Sequence, residues 1–163
     1  PIINANTPVF RDGHIYITSG YKHRGVKFKI SDNAAKLTIV WKDTTLDCHV
    51  GGVVLVDDYI YGSNWVNNRD GNWCCVNWKT GQNSYEKKWH TKGSLIYADG
   101  MLYCYAEKGG HVALVKATPN DFEVVSTFQV PYGKGPAWAR PVISDGRLYL
   151  RRDDALMVYN IKQ

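Results

Sequence analysis

The sequence predicts an all-β fold: a β-propeller segment of four-stranded antiparallel blades, about three and a half of them, belonging to a ring of six to eight. Three observations predict it. An Asp-Gly or Asp-Asp pair stands between two apolar runs at Asp12-Gly13, Asp57-Asp58, Asp99-Gly100 and Asp145-Gly146, at intervals of 45, 42 and 46 residues. Each pair is followed, three residues after its second member, by a tyrosine: Tyr16, Tyr61, Tyr103 and Tyr149. Downstream of each pair comes a third β-rich run, and in three repeats a fourth.

Asp-Gly between alternating β-branched and aromatic residues is a strong hairpin signal, because a type I′ turn needs positive φ at both central residues. Each phrase therefore supplies a first and a second strand. The third strands are expected at Val26 to Ser31, Trp73 to Trp78, His111 to Ala117 and Ala155 to Ile161. The fourth are expected around Trp41, Trp89 and Phe128, after turns at Ser31-Asp32-Asn33, Lys79-Thr80-Gly81 and Pro119-Asn120-Asp121. The repeats run approximately 7–51, 52–93, 94–139 and 140–163, the last without its outer strand. Aligning Asp12 with Asp99 sets Ile2 opposite Trp89, which makes residues 1–6 the stub of a preceding blade. Four strands repeating every ~44 residues describe a propeller blade. A sandwich has strands of this length but does not repeat residue types in phase over so long a period. The Trp-Asp dipeptide of one propeller type is absent, and the pairs Gly51-Gly52 and Gly109-Gly110 fall at different phases, against the kelch pattern.

Composition narrows the function. A chain of 163 residues with 44% hydrophobic content can bury a core, and no window approaches ~18 consecutive apolar residues, so no membrane span is expected. The net charge of +5 is dispersed, without the clustered basic stripe of a nucleic-acid binder. Cys48, Cys74, Cys75 and Cys104 have no framework spacing and are expected as free thiols, the adjacent pair half-buried because strand neighbours point to opposite faces.

The stretch "CVNWKTGQNSY" resembles the pyrroloquinoline-quinone (PQQ) repeat, whose pattern is Ala-Leu-Asp-x-x-Thr-Gly with tryptophan four residues after the glycine. Thr80 and Gly81 match; Cys75, Val76, Asn77 and Tyr85 stand at the family's alanine, leucine, aspartate and tryptophan. The phrase from Pro141 to Tyr149 is the second element, present in all four repeats. The chain is similar to the C-terminal blades of quinoprotein-alcohol-dehydrogenase-like propellers, many of which bind no quinone. The resemblance implies a periplasmic or extracellular location. It also implies, as an alternative to a binding module, a fragment of a PQQ-dependent alcohol or sugar dehydrogenase carrying PQQ and calcium. No catalytic residue can be carried over. Adjacent cysteines form a disulfide ring against the quinone in some relatives, but Cys74-Cys75 lies inside an expected strand.

Strand alternation sends the connections after second and fourth strands to one rim. There they are long and rich in His, Trp, Asn and Arg, the composition of a binding face on a rigid scaffold. The candidate ligand-binding residues are His49, Asn64, Trp65, Trp138, Arg140 and Arg152. His49 can present a nitrogen to the channel or bond a neighbouring loop. Trp65 and Trp138 can stack on a sugar or planar group, or pack between blades. Arg140 and Arg152 can hold a carboxylate, or pair with Asp153 and Asp154. No catalytic group, metal ligand or cofactor is assigned. The expected function is a non-catalytic binding or scaffold module for a protein or carbohydrate ligand, with a carbohydrate-active propeller as the third reading. Its open ends, with Leu148, Leu150 and Met157 on the exposed inter-blade surface, are expected to be covered by missing N-terminal blades or by a second copy.

Overall fold

The computed structural model describes residues 5–162. They form fifteen strands in three four-stranded sheets and one three-stranded sheet, and within each sheet every strand is hydrogen-bonded to its neighbours in sequence. Blade 1 contains β1 (Val9–Arg11), β2 (His14–Thr18), β3 (Gly25–Ile30) and β4 (Leu37–Asp43). Blade 2 contains β5 (Val53–Val56), β6 (Tyr59–Ser63), β7 (Trp73–Asn77) and β8 (Asn83–Lys87). Blade 3 contains β9 (Gly93–Ala98), β10 (Met101–Ala106), β11 (His111–Lys116) and β12 (Val124–Gln129). Blade 4 contains β13 (Val142–Ser144), β14 (Arg147–Arg152) and β15 (Ala155–Asn160).

The hairpin chemistry is as expected at three turns. Asp12 and Gly13, Asp99 and Gly100, and Asp145 and Gly146 all have positive φ, between 49° and 77°. At Asp57-Asp58 only the first residue does, since a second aspartate pays more than glycine for that region. The repeat extends beyond its sequence signature. Lys27, Cys75 and Leu114 each pair with the repeat's tyrosine, and in each complete blade the register of third against fourth strand shifts directly after this residue. A bulge at that point increases the local twist of the outer strand.

One strand expectation is corrected. β8 ends at Lys87, so Trp89 lies beyond it; its backbone carbonyl accepts a hydrogen bond from Trp73 Nε1 at 3.0 Å, and its ring meets Trp73 edge-on. Trp89 leaves the sheet because its apolar surface is covered by Trp73 and Phe122, not by a strand partner. The stub of a preceding blade expected at residues 1–6 turns on Ile2, which lies outside the described residues.

Every blade has a back face carrying the repeat tyrosine and a front face carrying the residue before it. Tyr16 packs on Ile60 and Val76 of blade 2; Tyr61 packs on Leu102 and Leu95 of blade 3; Tyr103 lies against the cluster of Leu148, Leu150 and Met157 of blade 4. The core is thus three inter-blade layers. Leu148, Leu150 and Met157 are at most 7% exposed, which corrects the expectation that they form the open surface. Alternation identifies two faces, but which one meets blade 3 is decided by packing. Cys74 and Cys75 are fully buried, not half-buried, because Cys74 enters the layer toward blade 1 and Cys75 the layer toward blade 3.

The tyrosines differ along the chain. Tyr16 and Tyr61 are buried, while Tyr103 and Tyr149 are half-buried, so the expectation that all four are inaccessible fails for two. Tyr103 borders a cavity of about 340 Å3 beside Phe128 and Tyr159, and the back face that carries Tyr149 meets no further blade among the described residues. Tyr103→Ala is therefore expected to cost only about 1–2 kcal/mol, below the ~3–5 kcal/mol of a fully buried aromatic truncation, as read by denaturant unfolding.

Candidate functional site

The connections after second and fourth strands converge on one rim. A cavity of about 380 Å3 is lined there by Tyr21, His49, Val50, Asn68, Lys92, Glu107 and Trp138, which come from six successive connections.

The Tyr21 loop is held in a costly conformation. Tyr21, Lys22 and Arg24 all have φ between 55° and 67°, where non-glycine residues are uncommon. Asp47 of the next connection fixes them: its Oδ2 accepts from Lys22 N at 2.6 Å and its Oδ1 from Arg24 N at 2.5 Å. The Tyr21 ring consequently stands edge-on to His49, with centroids 4.3 Å apart, and 5.0 Å from the Trp65 ring. Burial, and then the Lys92 charge, lower the His49 pKa below its ordinary 6.5, while Glu107 and Asp47 pull the other way. His49 is accordingly neutral at pH 7 and able to donate or accept.

The floor is ionic. Lys92 Nζ lies 2.6 Å from Glu107 Oε2, and the two side chains are 5% and 13% exposed. The approach to Oε2 lacks hydrogen-bond geometry, so the contact is ionic; the ammonium also donates to the carbonyls of Asn68 and Asn67 at 3.1 and 3.3 Å. Glu107 Oε1 accepts from Trp138 Nε1 at 3.0 Å, its backbone N donates to Lys92 O, and its carbonyl accepts from Ala137 N. Glu107 therefore joins the rims of blades 2, 3 and 4, and it leaves the Trp138 ring 64% exposed over the cavity.

Of the six candidates from sequence, His49 and Trp138 line the cavity and Trp65 backs Tyr21. Asn64 is buried and its amide is engaged by neighbours: Nδ2 donates to Glu86 Oε1 and Thr45 O, and Oδ1 accepts from Asn72 N. Arg140 lies against the bare Cα of Gly52, where a Cβ would come within 1.7 Å of Nη2. Arg152 donates through Nε to Gly135 O at 3.2 Å. These three brace loops, and neither arginine has the ion pair with Asp153 or Asp154 that sequence suggested among the described residues. Sequence reasoning missed Tyr21, Lys92 and Glu107, although it placed the connections carrying them on the binding rim.

The donor set does not fit a calcium-bound quinone. Calcium takes six to eight oxygen ligands, whereas the cavity has one carboxylate, already paired with a lysine, and no metal-ligating group of three His, Cys, Asp or Glu occurs among the described residues. Cys74 and Cys75 point into two different cores and cannot face one ligand.

No family model matches the chain, and no curated protein matches its sequence. Among solved structures it is similar to BamB from Moraxella catarrhalis, with 16% identity and TM-score 0.69 over 94% of this chain and 41% of BamB. It is similar to the computationally designed Ika4 protein, with 9% identity and TM-score 0.70 over 95% of this chain and 89% of Ika4. A europium-containing methanol dehydrogenase matches 74% of the chain and 23% of its own length, with 14% identity and TM-score 0.57. The chain thus spans less than half the length of BamB. At such identities the likeness shows the fold alone: the chain is an all-β propeller segment, similar in fold to BamB and to a methanol dehydrogenase.

Proposed function

We propose that the chain is a non-catalytic binding module that takes its ligand in the cavity between Tyr21, His49, Lys92, Glu107 and Trp138. The observation that carries this reading is the convergence of six connections on one hollow, with aromatic rings at its mouth and a buried ion pair beneath. Rings that stand exposed while their polar edges are fixed lose little freedom when they stack on a ligand. A carbohydrate fits best, because the exposed Trp138 face suits the apolar face of a sugar and His49, Asn68 and Glu107 offer partners to its hydroxyls. A protein ligand presenting an aromatic or polar side chain to the same hollow is the second form of the reading. A periplasmic or extracellular location rests on the resemblance to PQQ-like propellers, and it requires the four free thiols to stay shielded, as their burial allows.

A glycan array, followed by titration of the best hit with tryptophan fluorescence, tests the proposal. Trp138→Ala is expected to weaken binding about tenfold, corresponding to the loss of about 1.4 kcal/mol. Binding that is indifferent to Trp138→Ala and His49→Ala would move the site elsewhere. A stoichiometric quinone spectrum after purification with PQQ and calcium would overturn the non-catalytic reading in favour of a dehydrogenase fragment.

A further inference from the structure

The fold sorts a charge that is dispersed along the sequence. In the connections after first and third strands, turn chemistry places Asp12, Asp57, Asp58, Asp99 and Asp145, with Lys36 and Lys79 as the cations of that end. Among the described residues no large hydrophobic side chain stands exposed in those connections. The rim formed by the other connections is the reverse. It carries Lys22, Arg24, Arg69, Lys108 and Lys134, all exposed and none in an ion pair among the described residues. Most acids of this rim are engaged: Asp47 accepts from the amides of Lys22 and Arg24, Asp70 pairs with Lys88 and Glu107 with Lys92, which leaves Asp153 and Asp154 at the turn of blade 4. The same connections expose Tyr21, Val66, Tyr132 and Trp138, and Tyr132 is 67% exposed. One end of the molecule is thus acidic and polar, the other basic and aromatic.

We propose that this rim docks peripherally on an anionic lipid surface, with Tyr21, Val66, Tyr132 and Trp138 in the headgroup layer and the acidic end turned away. The inference goes beyond the cavity reading, because it rests on the loop tips around the hollow and not on the hollow itself. Charge complementarity names the occupant. Each Lys or Arg held near an anionic bilayer strengthens association about fivefold, and Trp and Tyr, apolar in the body and polar at one edge, settle at the boundary between bilayer and water. The same surface repels the acidic end, so the field of the whole molecule fixes the orientation. A soluble polyanion uses the cations but leaves Val66 and Tyr132 in water. The tips are also held in place before docking, which limits the freedom they lose. Asp47 fixes the Tyr21 loop, Val66 N and Asn67 N both donate to Asp70 O at 3.2 Å, and Trp138 Nε1 is tied to Glu107 Oε1. Beside Tyr132, Gly133 passes so close to blade 4 that a Cβ has no room against the Arg152 carbonyl.

Co-sedimentation of the full chain with vesicles reads the docking, using phosphatidylcholine alone and phosphatidylcholine mixed with phosphatidylglycerol. The wild type is expected to sediment with the mixed vesicles, not with the neutral ones, and to be released as salt screens the attraction. Lys134→Glu and Arg69→Glu, both at exposed positions, are each expected to cut the partition by at least about fivefold, with the circular dichroism spectrum unchanged as the check on folding. Lys36→Glu makes the same change of charge at the acidic end and is expected to leave the partition unchanged. Tyr132→Ser is expected to weaken binding without altering its salt dependence. A chain that stays in the supernatant overturns the proposal, as does equal partition onto neutral vesicles. A loss with Lys36→Glu as large as with Lys134→Glu overturns it by showing attraction without orientation. Binding to soluble dextran sulfate with none to vesicles overturns it in favour of a polyanion ligand. Glycan binding in the cavity is read separately, so either result leaves the cavity reading to its own test.

Discussion

Raising the pH from about 8 to about 10.5 is expected to unfold this protein, with reductant present throughout and the loss read by denaturant titration at each pH. The cause is four buried thiols. Burial pushes the Cys75 thiol up to about 11 and Cys48 up to about 12, and it holds Cys74 and Cys104 well above the ordinary 9.0. Because these folded values lie above the unfolded one, the stability they carry is complete below pH 9.0 and is lost as pH rises toward the folded values. Across that window each thiol that remains protonated in the fold costs about 1.4 kcal/mol per pH unit. Four together remove about 5–6 kcal/mol per pH unit above 9.0, so about 8 kcal/mol is lost by pH 10.5, which exhausts a net stability in the lower half of the range of about 5–15 kcal/mol. Tyr16, Tyr61 and Tyr85, raised by burial from 10.0, add to the loss with the same sign. Lys27 works in the opposite direction, since burial and the Arg11 charge lower its pKa from 10.5, but it is one group against seven. A Cys48→Ala/Cys104→Ala variant is expected to flatten the slope between pH 9 and 10.5. A flat stability profile in the wild type would show that the thiols are not protected as the packing implies.

Lys92→Met is expected to destabilise the fold by about 3–5 kcal/mol, because it strands the Glu107 carboxylate, 13% exposed, without its cation. Lys92→Met combined with Glu107→Leu is expected to recover most of that loss, since a well-packed apolar pair avoids the desolvation of both charges. The double variant separates stability from binding: it refolds the rim but removes the acceptor that fixes Trp138 Nε1, so ligand affinity falls while the melting temperature returns. A single Lys92→Met variant with an unchanged unfolding midpoint would show that the pair is solvated in solution.

The fold was legible because its signals are local. Asp-Gly turns, the tyrosine three residues on and the strand periods all act within a dozen residues, and together they placed fifteen strands in blade order, with Trp89 as the main error. The site was legible only as a rim. Lys92 and Glu107 read as ordinary solvated loop residues, because what buries them is the meeting of connections from blades 2, 3 and 4. Tyr21 is aimed at His49 by Asp47, 26 residues away in sequence, and no local pattern announces that. The direction of the faces was hidden for the same reason: period-two alternation marks Leu148 and Val158 as facing opposite ways, but only contact with blade 3 decides which becomes core.

The meander connectivity also sets an order of assembly. Within each blade every strand bonds to the strand before it in the chain, and the first two strands of each blade are separated by a two-residue turn. Loop-closure entropy is therefore small at each step, and a blade can form before the next one is synthesised. A nascent blade 1 has its own sheet but no neighbour for the Tyr16 face until blade 2 emerges to cover it. Growth then resembles a one-dimensional zipper with nearest-neighbour coupling, in which each inter-blade layer closes when the next blade arrives to cover it.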